Sequence, residues 1–82
     1  MRIKRGDEMR QLPDEKIDFT FANRLRQRRM DLHFTQAEMA TMLGIERSSY
    51  TYYEMGKTQP NLKTLKKLKK ILDVSLDYLS GE

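Results

Sequence analysis

A capped helix start is the feature that most constrains this chain. In "FTQAEMATMLG", Thr35 and Glu38 have the spacing of a capping box, in which each side chain accepts a hydrogen bond from the other residue's backbone N–H. Phe34 and Met39 flank this start at the spacing of a hydrophobic staple. The pattern therefore predicts a helix over Gln36–Leu43.

A short turn and another helix follow directly. Gly44 predicts the end of the first of these helices, because glycine enters the left-handed region without penalty. The next helix is predicted over Arg47–Met55, between the weak N-cap Glu46 and Gly56. Two helices joined by so few residues must cross steeply, and Ala40 is the small side chain expected at the crossing.

The rest of the sequence predicts three further helices and no strand, since no segment alternates between apolar and polar residues. The first helix is expected from Ile17, with Asp18 as its N-cap. The fourth follows the N-cap Asn61 and ends at Asp73, and a short fifth follows Ser75. One apolar stripe is expected along the fourth helix, formed by Leu62, Leu65, Leu68, Ile71 and Leu72.

The domain organisation predicted for the 82 residues is one small domain behind an arm. Residues 1–16 are predicted to be a flexible N-terminal arm, because charges of both signs are interleaved and Gly6 and Pro13 interrupt them. Residues 17–82 form the predicted domain. The N-terminus lacks the apolar segment of a signal peptide, and no apolar run approaches the ~20 residues of a membrane helix.

Composition argues against several classes of function. There is no cysteine and only one histidine, so we expect no disulfide, no metal site and no cofactor. The sequence offers no carboxylate pair, no nucleophile beside a base and no phosphate-cradling glycine loop, and we predict that the protein is not an enzyme. A net charge of +4 favours an anionic partner, of which nucleic acid is the commonest. A solvated lysine-rich surface is the alternative.

Three stretches of the sequence carry a family resemblance: "RLRQRR", "TQAEMATMLGIERSSYTYYEMGK" and "VSLDYL". Together they resemble the Cro and lambda-repressor-like helix-turn-helix family, also called the XRE family. The resemblance extends from about Phe21 to Leu79. It implies a compact all-α, lambda-repressor-like domain of five helices with the helix-turn-helix at 36–55. It also implies that the third helix enters the DNA major groove and that a homodimer reads two half-sites on a two-fold operator.

The third helix divides into two faces. Tyr50 and Tyr53 continue the apolar stripe of Ile45 and are expected in the core, where the Tyr50 hydroxyl needs a hydrogen-bond partner. The opposite face consists of Arg47, Ser48, Thr51 and Tyr52, which the resemblance makes the base-reading residues.

The chemistry of the outward face suits DNA. Arg47 can donate two hydrogen bonds to guanine O6 and N7, worth ~1–3 kcal/mol of discrimination. Ser48 and Thr51 can bond a base or a phosphate, and Thr51 can also touch a thymine methyl. Tyr52 can pack on a sugar or bond a phosphate. An ordinary exposed helix face is the alternative interpretation.

Phosphate contacts are expected from Gln36, Lys57 and Asn61. Gln36 opens the second helix, whose N-terminal amides suit an anion, and the family uses this glutamine in that way. Lys57 and Asn61 flank the loop where the family touches the DNA backbone, although Asn61 has an equal claim to be only an N-cap. Most of the lysines of the fourth helix are expected to face solvent away from the third and to add only long-range attraction. These lysines are Lys63, Lys66, Lys67, Lys69 and Lys70.

Further structural positions follow from the resemblance. Arg29 and Glu54 are expected to form a partly buried ion pair between the first and third helices. His33 replaces a common glycine and Lys69 a common alanine, so each could alter the local packing. Tyr78, Leu79 and the loop around Pro60 are the expected dimer contact.

These observations predict a cytoplasmic, sequence-specific regulator that binds double-stranded DNA, most simply a repressor from a bacterium, a phage or a mobile element. One alternative is a DNA-binding antitoxin whose arm, residues 1–16, binds a toxin. Another is a protein-interaction module that keeps the fold without binding DNA. The basic Arg47 and the absence of acidic residues from 47–53 argue against the last.

Overall fold

Five α-helices account for most of residues 19–81, which are the residues that the structure, a computed structural model, describes. The described part of the chain has no strand, and the predicted all-α class is confirmed. The predicted arm and the predicted start of the domain at residue 17 fall outside the described residues. The helices are α1 (Thr20–Asp31), α2 (Gln36–Leu43), α3 (Arg47–Met55), α4 (Leu62–Leu72) and α5 (Leu76–Ser80).

The start of α1 differs from the expected one. Phe19 occupies the N-cap position and makes no side-chain capping bond, and Asp18, the expected N-cap, lies outside the described residues. A phenylalanine cannot accept a hydrogen bond from the first amides of the helix, and the sequence pattern favoured the nearby aspartate for that reason.

Side-chain caps define the starts of three other helices. The capping box of α2 is complete, with Glu38 N–H donating to Thr35 Oγ1 at 3.0 Å and Thr35 N–H donating to Glu38 Oε1 at 2.8 Å. Asn61 Oδ1 accepts from the backbone N–H of Thr64 at 2.9 Å at the start of α4. Ser75 caps α5 in the same way. These caps satisfy amides that have no partner inside their own helices.

The turn between α2 and α3 depends on Gly44, which has a left-handed φ of 71°. Its N–H donates to the carbonyl of Thr41 at 3.1 Å, and the Ile45 N–H donates to the carbonyl of Ala40 at 3.0 Å. Both bonds close the end of α2 as in a Schellman-type cap. The chain thereby leaves α2 and begins α3 at Arg47 after only three residues.

The core lies where α2 and α3 cross beneath α1 and α4. Ala40 at the crossing is 3% exposed, and its small side chain permits the close approach. The cluster of buried residues contains Leu25, Met39, Ala40, Leu43, Tyr50, Leu68 and Leu72.

Two expectations about leucines are wrong. Leu62 is 61% exposed and does not belong to the buried stripe of α4. It is the first residue of α4, and helical side chains point toward the N-terminus, so its side chain projects away from buried Leu68. Leu79, expected at the dimer contact, is only 1% exposed because it packs inside its own domain, whereas Tyr78 is 37% exposed.

Two arginines of α1 donate hydrogen bonds to carbonyls at or near the ends of neighbouring helices. Arg24 Nη1 donates to the carbonyl of Tyr78 at 2.6 Å, and its guanidinium lies 5.0 Å from the centroid of that tyrosine ring. Arg28 Nε donates to the carbonyl of Leu72 at 2.8 Å. Cations at such positions satisfy free carbonyls and oppose the helix dipole. These bonds tie α1 to α5 and α4, and no local pattern in the sequence predicts them.

The lysines of α4 face solvent, as expected for most of them. The side chains of Lys63, Lys66, Lys69 and Lys70 are all exposed, so Lys69 does not enter the core. Lys67 is also exposed, and its Nζ lies 3.4 Å from the carbonyl of Leu43 at the end of α2.

Two non-glycine residues adopt left-handed backbone conformations in the described chain. His33, in the turn after α1, has φ 63°, and Asp73, after α4, has φ 54°. The exposed His33 side chain makes no hydrogen bond within the described residues that could offset the strain. An L-residue in this region costs about 1–2 kcal/mol relative to the right-handed helix region.

We expect His33→Gly to stabilise the protein. The substitution removes the left-handed strain but adds backbone entropy to the unfolded chain, so the free energy of unfolding should rise by about 0.5–1 kcal/mol. Such a gain corresponds to a melting temperature roughly 2–8 °C higher for a domain of this size. His33→Ala is the matched control, because it removes the same ring and keeps the strain. Equal melting temperatures for the two variants would contradict the prediction.

Candidate nucleic-acid interface

Helix α3 presents two faces that differ in burial. On the inner face Tyr50 is fully buried, and Tyr53 is half-buried against the core. Their rings meet edge to face, with centroids 6.2 Å apart and planes at 79°. This arrangement suits the quadrupoles of the two aromatic rings.

The outer face of α3, formed by Arg47, Ser48, Thr51 and Tyr52, points away from the core. Arg47, Ser48 and Tyr52 are exposed and Thr51 is half-buried. Neither Arg47 nor Ser48 makes a side-chain hydrogen bond or ion pair within the described residues. Arg47 is the first residue of α3, and its guanidinium is free to bind an outside acceptor.

The Tyr50 hydroxyl finds its partner on its own helix. It donates to Glu54 Oε2 at 2.5 Å, one helical turn later. Burial and the neighbouring carboxylate raise the pKa of Tyr50 well above its usual value, so the phenol stays protonated. The sequence signal for this bond was the spacing of four residues, which places both side chains on one helix face.

Glu54 forms a bidentate ion pair with Arg29 of α1. Arg29 Nε lies 2.6 Å from Glu54 Oε2, and Nη2 donates to Oε1 at 3.1 Å. The third nitrogen of Arg29 donates to the carbonyl of Phe34 at 2.8 Å. The Glu54 side chain is only 2% exposed and that of Arg29 12%, so solvent screens this pair weakly.

The ion pair keeps Glu54 ionised. Burial acts to raise the pKa of Glu54, but hydrogen bonds from Arg29, Tyr50 and Gln36 outweigh it, and the pKa is lowered from its ordinary value. The carboxylate therefore accepts hydrogen bonds and donates none at neutral pH.

Gln36 joins this network from the first turn of α2. Its Nε2 donates to Glu54 Oε1 at 3.1 Å, and its Oε1 accepts from the Thr51 hydroxyl at 2.9 Å. The sequence predicted a phosphate contact for Gln36 and gave no sign of these two bonds to α3. One side-chain amide N–H of Gln36 and the backbone N–H groups of Gln36 and Ala37 are still available to an anion, whereas that of Glu38 is used by the capping box.

Lys57 lies beside the outer face of α3. Its Nζ is 5.6 Å from the centroid of the Tyr52 ring, within the range of a cation–π contact, and both side chains are exposed. Asn61 uses its carbonyl oxygen as the N-cap of α4, which leaves its amide N–H groups for another partner. The structure thus places Gln36 against Thr51 and Lys57 against Tyr52, but it joins Asn61 to none of these residues.

Two other kinds of feature are absent from residues 19–81. No cluster of three or more His, Asp or Glu side chains there could hold a metal ion. None of the five described helices has the length and apolar character needed to cross a membrane.

Comparison with known proteins identifies the family. A family model described as helix-turn-helix matches residues 25–79, which include α2, the turn at Gly44 and α3. The chain belongs to this helix-turn-helix family. The predicted family and five-helix fold are thereby confirmed.

Relatives within the family carry names of transcriptional regulators. The chain is 49% identical over 59 residues to the uncharacterized HTH-type transcriptional regulator YqaE of Bacillus subtilis, covering 72% of this chain and 51% of the relative. It is equally identical, over 55% of that protein, to YonR, an SPbeta prophage-derived regulator from the same species. It is 40% identical, over 71% of this chain and 52% of the relative, to RstR, the cryptic phage CTXphi transcriptional repressor of Vibrio cholerae.

This chain spans about half the length of these curated relatives. No solved structure matches it significantly. The relatives named as regulators include both the repressor RstR and the transcriptional activator BcrR of Enterococcus faecalis.

We expect Glu54→Ala to unfold the domain rather than to alter its binding preference. Removing one partner of a buried ion pair costs about 3–5 kcal/mol, which is comparable with the whole stability of a small domain. Tyr50→Phe removes one bond to the same carboxylate and should cost about 1.5–3 kcal/mol. Urea denaturation measures both effects. An unchanged melting temperature for Glu54→Ala would show that the pair does not hold the fold.

The stability conferred by Glu54 should depend on pH. Its folded-state pKa lies below the ordinary value of 4.5, so this contribution is present above pH 4.5 and is lost as the pH falls through the folded-state pKa. The stability difference between wild-type protein and Glu54→Gln should therefore narrow as the pH falls from neutral to about 3. Melting curves across this range test it, and a difference that stays constant would be incompatible with an ionised Glu54.

Proposed function

We propose that this protein is a sequence-specific transcriptional regulator of double-stranded DNA, most simply a repressor, that inserts α3 into the major groove. The observation that carries the proposal is the contrast between the two faces of α3. The inner face is held by the buried Tyr50 and Glu54, while the outer face is exposed and bears a cation, two hydroxyls, a phenol and no carboxylate. A rigid helix with a free polar face is what base readout requires.

Arg47 is the proposed main reader. It lies at the N-terminal end of α3, the end that meets base edges in helix-turn-helix proteins. Its guanidinium has no partner within the described residues, so a guanine would not have to displace an internal bond. Ser48 and Tyr52 lie beside it on the exposed face, where Ser48 can bond a base and Tyr52 can reach a base or the adjoining sugar.

The proposed phosphate contacts surround this face. Lys57 stands beside Tyr52, whose ring restricts the positions of its ammonium group. Gln36 is held against Thr51 and keeps one amide N–H for a phosphate at the N-terminus of α2. Asn61 retains its amide N–H groups for the same purpose, since only its oxygen serves as a cap.

We further propose that the protein represses transcription and binds a two-fold operator as a homodimer. It would act in the cytoplasm of a bacterium, on bacterial or phage DNA. The names of RstR and of the prophage-derived YonR support a repressor of bacterial or phage origin. The burial of Leu79 and Pro60 argues against a role for these two side chains, so the proposed dimer contact is reduced to Tyr78 and the exposed residues of the loop before α4.

Arg47→Ala and Lys57→Ala should weaken DNA binding in different ways. Loss of Arg47 should remove a guanine preference at one position per half-site, at a cost of about 1–3 kcal/mol on the preferred duplex. Loss of Lys57 should weaken binding to all sequences and reduce the slope of log K against log salt by about 1. Selection of bound duplexes from a random pool, followed by salt titration of the selected duplex, measures both effects.

Lys70→Ala is the matched control, because it removes an exposed lysine of α4 that has no proposed DNA contact. Its base preference and its salt slope should both stay close to those of the wild-type protein. A selection that enriches no sequence with the wild-type protein would refute the proposed function. An Arg47→Ala variant with an unaltered base preference would remove Arg47 from the reading residues.

A further inference from the structure

The hydrogen-bond network around Glu54 determines the direction of the bond between Thr51 and Gln36. Glu54 is ionised and accepts only, so the Gln36 group facing it at 3.1 Å must be the amide nitrogen. The amide oxygen of Gln36 then faces Thr51. Since an amide oxygen cannot donate, the Thr51 hydroxyl must supply the proton of the 2.9 Å bond.

The bond to Gln36 limits the hydrogen bonds that Thr51 can offer on the outer face of α3. A hydroxyl has one proton, and that of Thr51 is committed to α2. Thr51 is therefore left with the lone pairs of its oxygen and with its methyl group. It can accept a hydrogen bond or make an apolar contact, but it cannot donate to a base.

Bases differ in how well they suit such a residue. In the major groove adenine and cytosine present amino groups that donate, thymine presents a methyl group, and guanine presents only the acceptors N7 and O6. An acceptor-only threonine can pair with the first two and pack on the third. Opposite guanine, two sets of acceptors would meet without a proton between them, which leaves both unsatisfied.

We propose that Thr51 is a specificity-determining residue that excludes guanine from one position of each half-site, and that Gln36 enforces this exclusion by holding the Thr51 proton. The inference rests on the proposed function, because it concerns the base that the outer face of α3 meets. Gln36 acts here as a positioning residue, in addition to its proposed phosphate contact.

Ser48 provides an internal comparison on the same helix. It is exposed and its hydroxyl has no partner within the described residues, so it can rotate to donate or to accept. Ser48 should therefore tolerate guanine where Thr51 does not. The difference comes from the bond to Gln36 and not from the chemistry of a hydroxyl group.

The test selects duplexes from a random pool with the wild-type chain, Thr51→Val, Thr51→Ser and Gln36→Met. Valine keeps the methyl group of threonine and loses its acceptor, whereas serine keeps the acceptor and loses the methyl group. Methionine at position 36 approximates the volume of glutamine and offers Thr51 no amide oxygen. Melting curves first establish that each variant is folded.

With the wild-type chain, we expect guanine to be depleted about three- to tenfold at one position per half-site, the scale of one hydrogen bond. Thr51→Val should shift the base preference at that position toward thymine at the expense of adenine and cytosine. Thr51→Ser should shift the preference toward adenine and cytosine at the expense of thymine. Gln36→Met should restore guanine there, with weaker binding to every sequence and no change at the other positions.

Guanine that stays depleted in folded Gln36→Met would overturn the coupling. If that variant does not fold, the base profiles selected by Thr51→Val and Thr51→Ser provide the test. A profile that is unchanged in both variants overturns the role of Thr51. Enrichment that depends on Arg47 but shows no guanine-depleted position refutes this inference and leaves the proposed function intact. No enrichment with the wild-type chain refutes both.

Discussion

The carboxylate of Glu54 is the interaction on which the rest of the domain depends. It receives four hydrogen bonds, from Arg29 of α1, Gln36 of α2 and Tyr50 of α3, although its side chain is almost fully buried. A buried charge is tolerated only when such bonds replace the lost water. Because the donors come from three helices, one carboxylate sets both the crossing of α2 with α3 and the rotation of α3 about its axis.

The distribution of positive charge follows a second constraint, the need to satisfy helix ends. Arg24 and Arg28 donate to carbonyls at or near the ends of α5 and α4, and Arg29 neutralises Glu54. These arginines contribute to the net charge of +4 but are already engaged within the fold. The cations that remain free beside α3 are fewer than the composition suggests, and Arg47 and Lys57 carry correspondingly more of the proposed attraction to DNA.

Much of the architecture could be predicted from the sequence because its signals are local. The bounds of α2 and α3 follow from the capping box at Thr35 and from the glycines at 44 and 56, and the faces of α3 follow from residue spacing. The exposure of Leu62 and the burial of Leu79 could not be predicted, since they depend on where neighbouring helices end. The links from Gln36 to Thr51 and Glu54 were also missed, because they join residues 15 and 18 positions apart through tertiary packing.

The lack of side-chain bonds from Arg47 and Ser48 to the rest of the described domain has a consequence for the evolution of proteins with this scaffold. Neither side chain is needed to hold the helices together, so either can be exchanged at little cost in folding. Tyr50 and Glu54, on the same helix, have no such freedom. A lineage with this scaffold can therefore acquire a new target by changing a few exposed residues while the network beneath them stays the same.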